Sequence, residues 1–158
     1  MIVRRAAPAD GSALVRVINR AYRVEEFFVV GDRTTDDDVA RRLALPGAAF
    51  LVVDDEEPGR LAGAVFVEVR KDRGYFGLLS VDPDRQRRGL GRLLVRAAEA
   101  HCRAAGCRFM DLDVVNLRRE LPGFYRSLGY EDTGSAPFPA GERLRREAHL
   151  VVMSKALA

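Results

Sequence analysis

The sequence has little cysteine and no long apolar run, and each absence excludes a class of protein. Cys102 and Cys107 are the only cysteines, which is too few for a disulfide scaffold and lacks the paired ligand spacing of a zinc site. The apolar runs fall short of the roughly 18 residues that span a bilayer. The first five residues lead into a strand-like segment and not into a signal peptide. We therefore expect a cytoplasmic protein that binds no metal and no membrane.

Lysine is also scarce, since Lys71 and Lys155 are the only lysines among 26 basic residues. The arginines are dispersed among 23 acidic residues and are not interleaved with a patch of stacking aromatics, so the charge pattern does not support nucleic-acid binding. What the sequence does contain is 47 % hydrophobic residues over 158 positions, enough for a buried core without disulfides or metal. We expect a single globular domain over residues 1–158.

The spacing of apolar residues predicts strands that first follow one another and then alternate with helices. The longest predicted helix carries apolar residues at i, i+3, i+4 and i+7 from Leu90 to Ala105, and Gly106 ends it. The predicted order β-α-α-β-β-β-α-β-α-β indicates an α/β fold, in which one mixed sheet has helices on both faces. The predicted strands cover 2–6, 49–53, 61–69, 75–81, 109–115 and 149–154. Of the other three predicted helices, one begins at Asp10, one covers 36–45 and one covers 121–128.

One segment, residues 79–92, combines a strand, a proline break and a helix that is entered through Gly89 and Gly91. About four backbone N–H groups are unpaired at a helix N-terminus, and glycines there let a phosphate approach the backbone closely. The segment lacks the Gly-Lys-Ser/Thr of a Walker loop, and Leu94 stands where a dinucleotide fingerprint needs glycine. Taken alone, it fits either a phosphate site or a glycine-rich turn with solvated arginines. The arginines that suit phosphate oxygens are Arg85, Arg87, Arg88 and Arg92.

Two motifs in this chain resemble those of the GNAT superfamily of N-acetyltransferases. Residues 86–91, Gln-Arg-Arg-Gly-Leu-Gly, match its acetyl-CoA signature Gln/Arg-x-x-Gly-x-Gly/Ala. Residues 124–130, Phe-Tyr-Arg-Ser-Leu-Gly-Tyr, are similar to its carboxy-terminal motif, in which an aromatic-Tyr pair precedes Leu-Gly-Phe/Tyr. The resemblance extends to the first strand and covers nearly the whole chain. It implies a GNAT-like acyl-CoA N-acyltransferase fold and an N-acetyltransferase that uses acetyl-CoA as its co-substrate.

The resemblance also implies where acetyl-CoA binds. In the family, acetyl-CoA lies in a cleft between two parallel strands that splay apart, here the strands that end near Val81 and Val115. Asn116 resembles a family asparagine that contacts the pantetheine arm, although it lies nine residues before Tyr125 where seven is common. The backbone of Leu79, Ser80 and Val81 would hold the pantetheine, and the pyrophosphate would lie on Gln86, Arg87, Arg88, Gly89, Leu90, Gly91 and Arg92.

The same resemblance assigns the acid of the reaction and leaves the base open. Tyr125 matches the family tyrosine that donates a proton to the CoA sulfur, and a core tyrosine of an amphipathic helix is the alternative. Many relatives carry a glutamate on the strand before the signature, but residues 75–80 here contain no carboxylate. We expect Glu26 to be the base, because the adjacent phenylalanines would raise its pKa by desolvation. The other candidates are Glu25, Glu68 and Asp113.

The acceptor is not named by the sequence. In the family, the region between the first two helices, residues 22–33 here, forms one wall of the acceptor site. Its acidic residues would attract a cationic amine, whereas Arg33 would pair with a substrate carboxylate. An amino acid, a polyamine, an aminoglycoside and a peptide N-terminus all fit, and a homodimer is common among relatives. The alternative to an enzyme is a non-catalytic CoA-binding sensor of the same fold.

Overall fold

The computed structural model describes residues 1–139 and 143–157, which form one mixed sheet flanked by helices. The described strands are β1 (Val3–Arg5), β2 (Ala48–Asp54), β3 (Leu61–Arg70), β4 (Arg73–Val81), β5 (Phe109–Val115), β6 (Glu131–Pro137) and β7 (His149–Ala156). The described α-helices are α1 (Gly11–Tyr22), α2 (Asp36–Ala44), α3 (Leu90–Ala104) and α4 (Glu120–Ser127). The sheet order is β1-β2-β3-β4-β5-β7-β6, and neighbouring strands are antiparallel except β4 and β5. The predicted α/β mixed sheet is confirmed.

Local sequence sets the ends of two of these helices. Thr35 Oγ1 accepts a hydrogen bond from the Asp38 N–H (3.1 Å) and caps α2. α3 begins after Gly89, whose φ of +76° is a left-handed conformation that glycine adopts without strain. Gly106, with a φ of +90°, follows the last turn of α3, as its sequence position predicts. No helix within the described residues has both the length and the apolar content that a membrane span needs.

The sheet has a hydrophobic cluster on each face. Alternate residues of β2 point to opposite faces, so that Leu51 belongs to the cluster with α3 and α4, and Phe50 to the cluster with α1 and α2. Leu94 of α3 and Leu14 of α1 are fully buried in these two clusters. The predicted arrangement of helices on both faces is therefore confirmed.

Both cysteines lie in the cluster on the α3 face. Cys102 is fully buried, and Cys107 is 5 % exposed. Desolvation, together with the neighbouring Cys107, raises the pKa of the Cys102 thiol to about 12. The Cys102 thiol therefore stays protonated near neutral pH. Among the described residues, no three His, Cys, Asp or Glu side chains form a group that could hold a metal ion.

The strand β6 is absent from the predicted order and is the main difference in the fold. It lies at the edge of the sheet, pairs antiparallel with β7 and is almost entirely exposed. Its sequence, Glu-Asp-Thr-Gly-Ser-Ala-Pro, has no alternation of apolar and polar residues, which is the usual sequence signal of a strand. β6 is therefore a strand because it pairs with β7, and not because its own residues favour a strand.

The parallel strands β4 and β5 separate soon after they begin. They pair over three residues, from Arg73 with Phe109 to Tyr75 with Asp111, and no pairing joins the rest of these two described strands. β4 is distorted at Leu78, which has a φ of +52°, close to where its register with β3 shifts. The carboxyl ends of β4 and β5 thus leave an open edge between them.

Candidate active site

A cavity of about 590 Å³, here called the inner cleft, opens where β4 and β5 separate. Its walls come from the carboxyl ends of both strands, the N-terminus of α3 and one side of α4. Ligands of open α/β sheets commonly bind outside the carboxyl ends of such strands. The two sequence motifs therefore meet in one cavity. The residues of the two motifs and their flanking strand that line it are Leu79, Val81, Gln86, Arg87, Gly89, Leu90, Gly91, Arg92, Phe124 and Tyr125.

The loop between β4 and α3 is fixed by one buried carboxylate, Asp82. Its Oδ1 accepts a hydrogen bond from the Asp84 N–H (2.9 Å), and its carboxylate oxygens lie 3.3 Å from guanidinium nitrogens of Arg20 and Arg60. Arg16 lies 3.6 Å away. Burial opposes ionisation, but the Asp84 N–H and the arginines hold the pKa of Asp82 below its usual value. Asp82 therefore ties α1 and the start of β3 to the loop that leads into α3.

The N-terminus of α3 is open toward the inner cleft. Arg87 and Gly89 have φ values of +67° and +76°, which turn the chain before the helix begins. A Cβ added at Gly89 would meet no atom within 4 Å, and one at Gly91 would lie 3.6 Å from the ring of Phe124. The first N–H groups of the helix have no partner within it. This end of the cleft can therefore bind an anion through backbone groups.

Some residues that the resemblance assigned to acetyl-CoA do not line the inner cleft. Ser80 is buried, and its Oγ donates a hydrogen bond to a carbonyl of its own strand (2.8 Å). Asn116 Oδ1 accepts a hydrogen bond from a backbone N–H of β7 (2.8 Å), which joins the ends of two strands. Arg88 is exposed and lies outside the lining. The position seven residues before Tyr125 is Arg118, and this side chain does line the cleft.

Tyr125 is fixed in the wall of the inner cleft by aromatic packing. Its ring centroid lies 5.1 Å from that of Phe124, 5.9 Å from that of Phe76 and 6.1 Å from that of Tyr130. The residue is 4 % exposed, and burial raises the pKa of its hydroxyl well above the usual value. Tyr125 is therefore a protonated donor held in the cleft wall.

A second cavity of about 480 Å³, here called the outer cavity, adjoins the inner cleft. Two segments form much of its wall, and they are joined by hydrogen bonds from the Val30 N–H to the Arg143 carbonyl (2.8 Å) and from the Arg145 N–H to the Phe28 carbonyl (2.6 Å). The residues that line both cavities are here called the throat. They are Tyr22, Glu25, Arg33, Tyr75, Asp113, Phe138 and Leu150.

The structure places the candidate glutamates in different environments. Glu26 is exposed and lines the outer cavity, and Glu68 pairs with Arg70 (2.7 Å) outside both cavities. Glu25 is 5 % exposed, belongs to the throat and has its Oε2 3.2 Å from Arg118 Nη1. Desolvation raises the pKa of Glu25, and Arg118 opposes this rise. The burial that the sequence suggested for Glu26 therefore falls on Glu25.

Asp113 is a throat carboxylate that sequence reasoning ranked behind Glu26. Tyr75 Oη donates a hydrogen bond to Asp113 Oδ1 (3.4 Å) across the gap between β4 and β5. Desolvation raises the pKa of Asp113, and the Tyr75 hydroxyl and Arg33 oppose this rise. The available sequence signal was its place on β5 between two buried residues, which directs its side chain to the opposite face.

Comparisons with known proteins agree with this geometry. A family model described as the acetyltransferase (GNAT) family matches residues 15–130. The chain is 35 % identical over 109 residues to the mycothiol acetyltransferase of Nocardia farcinica, an alignment that covers 64 % of the chain and 35 % of that protein. It is 38 % identical over 97 residues to glucosamine 6-phosphate N-acetyltransferase 1 of Oryza sativa subsp. japonica, covering 56 % of the chain and 57 % of the relative. The chain thus spans about a third of the first relative and somewhat more than half of the second.

Among solved structures, yncA from Salmonella typhimurium, determined with its cofactor acetyl-CoA, has a TM-score of 0.77 to this chain at 25 % identity. That likeness covers 100 % of this chain and 94 % of yncA. The family model also covers most of the residues that build the inner cleft, including both motifs up to Tyr130. The chain therefore belongs to the acetyltransferase (GNAT) family, as its two motifs predicted.

Proposed function

We propose that this protein is an acetyl-CoA-dependent N-acetyltransferase, which moves an acetyl group to a primary amine of a small molecule or peptide by direct attack on the thioester. The observation that carries the proposal is the meeting of the α3 N-terminus, the open edge of β4 and Tyr125 in the inner cleft. The solved structure of yncA holds acetyl-CoA, and the two relatives named above are acetyltransferases.

The inner cleft has features that fit acetyl-CoA. The free N–H groups and the positive dipole end of α3 suit a pyrophosphate. Arg87 and Arg92 line the same end, and their guanidinium groups complement phosphate charge. The open edge of β4 at Leu79 and Val81 offers backbone groups to the amides of a pantetheine arm. When bound, acetyl-CoA supplies a thioester carbon that is activated toward nucleophiles.

The acceptor amine must be neutral to attack, because a primary amine with a pKa of about 10 is mostly charged at pH 7. We assign proton acceptance to Asp113, directly or through a water. It lies in the throat, where the outer cavity meets the inner cleft, and partial desolvation there raises the pKa of this otherwise exposed carboxyl. Glu25 is paired with Arg118, and Glu26 lines the outer cavity alone, so both are less well placed.

Tyr125 is assigned to the departing thiol. As the C–N bond forms and the C–S bond breaks, negative charge develops on sulfur, and the Tyr125 hydroxyl donates its proton there. Burial keeps this hydroxyl protonated until it is needed. Asp113 has meanwhile taken a proton from the attacking nitrogen; release of that proton to solvent and uptake of one by the tyrosinate from solvent restore both groups. No acetyl group is held covalently by the protein in this sequence of steps.

Calorimetric titration with acetyl-CoA and with CoA tests the cofactor, and thiol release against a panel of amines and peptides tests the reaction. Micromolar binding together with thiol release on one acceptor class supports the proposal. Binding without turnover on any acceptor favours a CoA-binding sensor of the same fold. Absence of binding contradicts the proposal at its first step.

The variant Tyr125→Phe tests the acid. We expect kcat to fall about 100-fold while the Kd of acetyl-CoA stays the same, because the hydroxyl acts on the developing thiolate and not on the bound ground state. Tyr130→Phe is the matched control, since the Tyr130 hydroxyl donates to Glu99 (2.7 Å) and lies outside the inner cleft. Unchanged turnover in Tyr125→Phe would remove Tyr125 from the mechanism.

A further inference from the structure

The throat contains a cation that the proposed reaction does not use, Arg33. Among the described residues, it is the one basic side chain that lines both the inner cleft and the outer cavity. An acceptor bound in the outer cavity would meet the thioester of the proposed reaction at this position. A fixed positive charge there is unfavourable for an acceptor that carries only positive charge. The charge of Arg33 therefore indicates that the acceptor does not carry positive charge alone.

Arg33 forms no ion pair with a described residue. Its Cζ lies 5.3 Å from the ring centroid of Tyr22, a cation–π contact that uses none of the guanidinium N–H donors. Arg118, which also lines the inner cleft, is by contrast paired with Glu25 (3.2 Å) and Glu120 (2.6 Å). Within the described part of the chain, the fork of N–H donors on Arg33 is thus available to a ligand.

The charge of Arg33 acts on both carboxylates of the throat. It lowers the pKa of Asp113 and that of Glu25, in each case against the larger effect of burial. The guanidinium is therefore close enough to influence the protonation of groups around the reacting nitrogen. It favours a neutral amine over an ammonium ion at that point. It also repels a second ammonium group, which polyamines and aminoglycosides carry.

The outer cavity is lined by charged side chains of both signs, and its charge pattern differs from that of the throat. The segment bonded to Phe28–Val30 carries Arg143 and Arg145, and both are exposed side chains of the lining. Arg23 and Arg42 add to this positive charge, and the exposed Glu26 and Asp32 of the same lining offset part of it. The throat instead combines Arg33, which has no described ion-pair partner, with Asp113, which contacts a tyrosine, and with Glu25, whose charge is paired with Arg118. That combination is complementary to an amine that bears an anion of its own.

We propose that the acceptor is a primary amine that carries a carboxylate or a phosphate a few bonds from its nitrogen, and that Arg33 binds this anion beside Asp113. The inference rests on the proposed acetyl transfer and specifies its acceptor. A free α-amino acid and an amino sugar phosphate both meet the requirement, because guanidinium binds either anion through paired N–H donors. A polyamine, a neutral amino sugar and the N-terminus of a peptide lack an anion at this position.

Thiol release by the wild-type protein, at saturating acetyl-CoA, tests this with matched acceptors. Each common α-amino acid is compared with its carboxamide, glucosamine 6-phosphate is compared with glucosamine, and spermidine is the dicationic probe. We expect either the amino acids or glucosamine 6-phosphate to have a kcat/KM about 30-fold higher than that of the matched acceptor without the anion. A difference of this size is the effect of one hydrogen-bonded ion pair. The kind of pair that shows the preference distinguishes a carboxylate acceptor from a phosphate acceptor.

Variants of Arg33 connect the preference to this residue. Arg33→Gln should abolish the preference, because KM should rise more for the anionic acceptor than for its neutral partner, and Arg33→Lys should restore part of it. Arg146→Gln is the matched control, because Arg146 makes a similar cation–π contact with Phe27 (5.6 Å) and lines neither cavity.

Several outcomes would overturn the inference. These are equal rates within both kinds of pair, a preference for neutral acceptors or spermidine, and a preference that survives in Arg33→Gln. Turnover of no member of either kind of pair, with acetyl-CoA binding intact by calorimetry, also overturns it. Loss of acetyl-CoA binding in the wild-type protein is a different result, because it contradicts the proposed function itself.

Discussion

The N-terminus of α3 offers a ligand a backbone surface of N–H groups beside Arg87 and Arg92, whereas the outer cavity offers a surface of charged side chains. The backbone surface is turned by the positive φ values of Arg87 and Gly89 and kept open by Gly91. The side-chain surface comes from residues 22–33 and 143–145, which two backbone hydrogen bonds hold together. Side chains of a cavity wall can be substituted without altering the fold, whereas the backbone turn before α3 cannot be changed without altering it. We infer that the α3 end suits a ligand that different acetyltransferases share, and that the outer end suits an acceptor that differs from one enzyme to another.

The largest effect is expected where a side chain is added to the backbone surface. In Gly91→Leu the new side chain would lie beside Phe124 and fill the approach to the α3 N–H groups. We expect the Kd of acetyl-CoA, measured by calorimetry, to rise from the micromolar range to about 1 mM or above. Gly11→Leu is the matched control, because Gly11 also begins a helix and a Cβ there would meet no atom within 4 Å. Equal affinities in the two variants would contradict binding through the α3 backbone.

A smaller effect is expected where a single side chain is changed in the throat. Asp113→Asn cannot accept a proton, so kcat should fall about 100-fold with the Kd of acetyl-CoA unchanged. Partial desolvation raises the pKa of Asp113, so wild-type kcat/KM should fall as pH decreases through that raised pKa, and the variant should lose this dependence. Glu26→Gln should lower kcat less than Asp113→Asn does. The reverse order would return the role of base to Glu26.

The smallest effect concerns Asp82, the charged side chain on which the shape of the backbone surface depends. Asp82→Asn keeps an acceptor for the Asp84 N–H but leaves neighbouring arginines without their counter-charge, so the free energy of unfolding should fall by about 2 kcal/mol. The pKa of Asp82 is lowered by folding, so its contribution is present above the unfolded pKa of 3.8 and is lost as pH falls below it. Urea unfolding at neutral pH and near pH 3 measures the difference in free energy of unfolding between the wild-type protein and Asp82→Asn. We expect this difference to be smaller near pH 3.

Asp84→Asn is the control for that experiment, because the Asp84 side chain is 62 % exposed and its ion pair with Arg20 is open to solvent. We expect its cost to be well below that of Asp82→Asn at neutral pH. Equal costs would mean that burial of the Asp82 carboxylate does not strengthen its hold on the loop. In that case the turn before α3 would depend on backbone conformation alone.

Much of the fold could be predicted because its elements carry periodic apolar residues. The helix from Leu90 to its stop at Gly106 shows the pattern most clearly, and the structure ends α3 within two residues of that glycine. β6 could not be predicted, because Glu131–Pro137 is polar and exposed and becomes a strand through its pairing with β7. Edge strands of this composition depend on a partner that is distant in sequence.

The same distinction holds for the site. The α3 end could be predicted because its glycines and arginines lie within a few residues of one another. In the throat, Glu25, Arg33 and Asp113 were among the predicted candidates, but their relative burial could not be predicted, since Glu25 and Glu26 are adjacent and the short 3-10 helix at Arg23–Glu25 decides which of them is buried. Tyr75 and Asp113 meet because two strands pair in parallel at that height of the sheet. Contacts of this kind leave no local pattern in the sequence.

The burial of both cysteines bears on the rate law expected for the proposed reaction. An enzyme that stores an acyl group on itself needs an accessible nucleophile such as a thiolate. Here the Cys102 thiol has a pKa of about 12, Cys107 is 5 % exposed, and neither residue lines the inner cleft or the outer cavity. Neither cysteine is thus placed to take an acetyl group, and the direct transfer proposed above requires acetyl-CoA and the acceptor amine to occupy the protein together. Double-reciprocal plots of initial rate would then intersect, the signature of a ternary complex, where an acylated cysteine would give parallel lines.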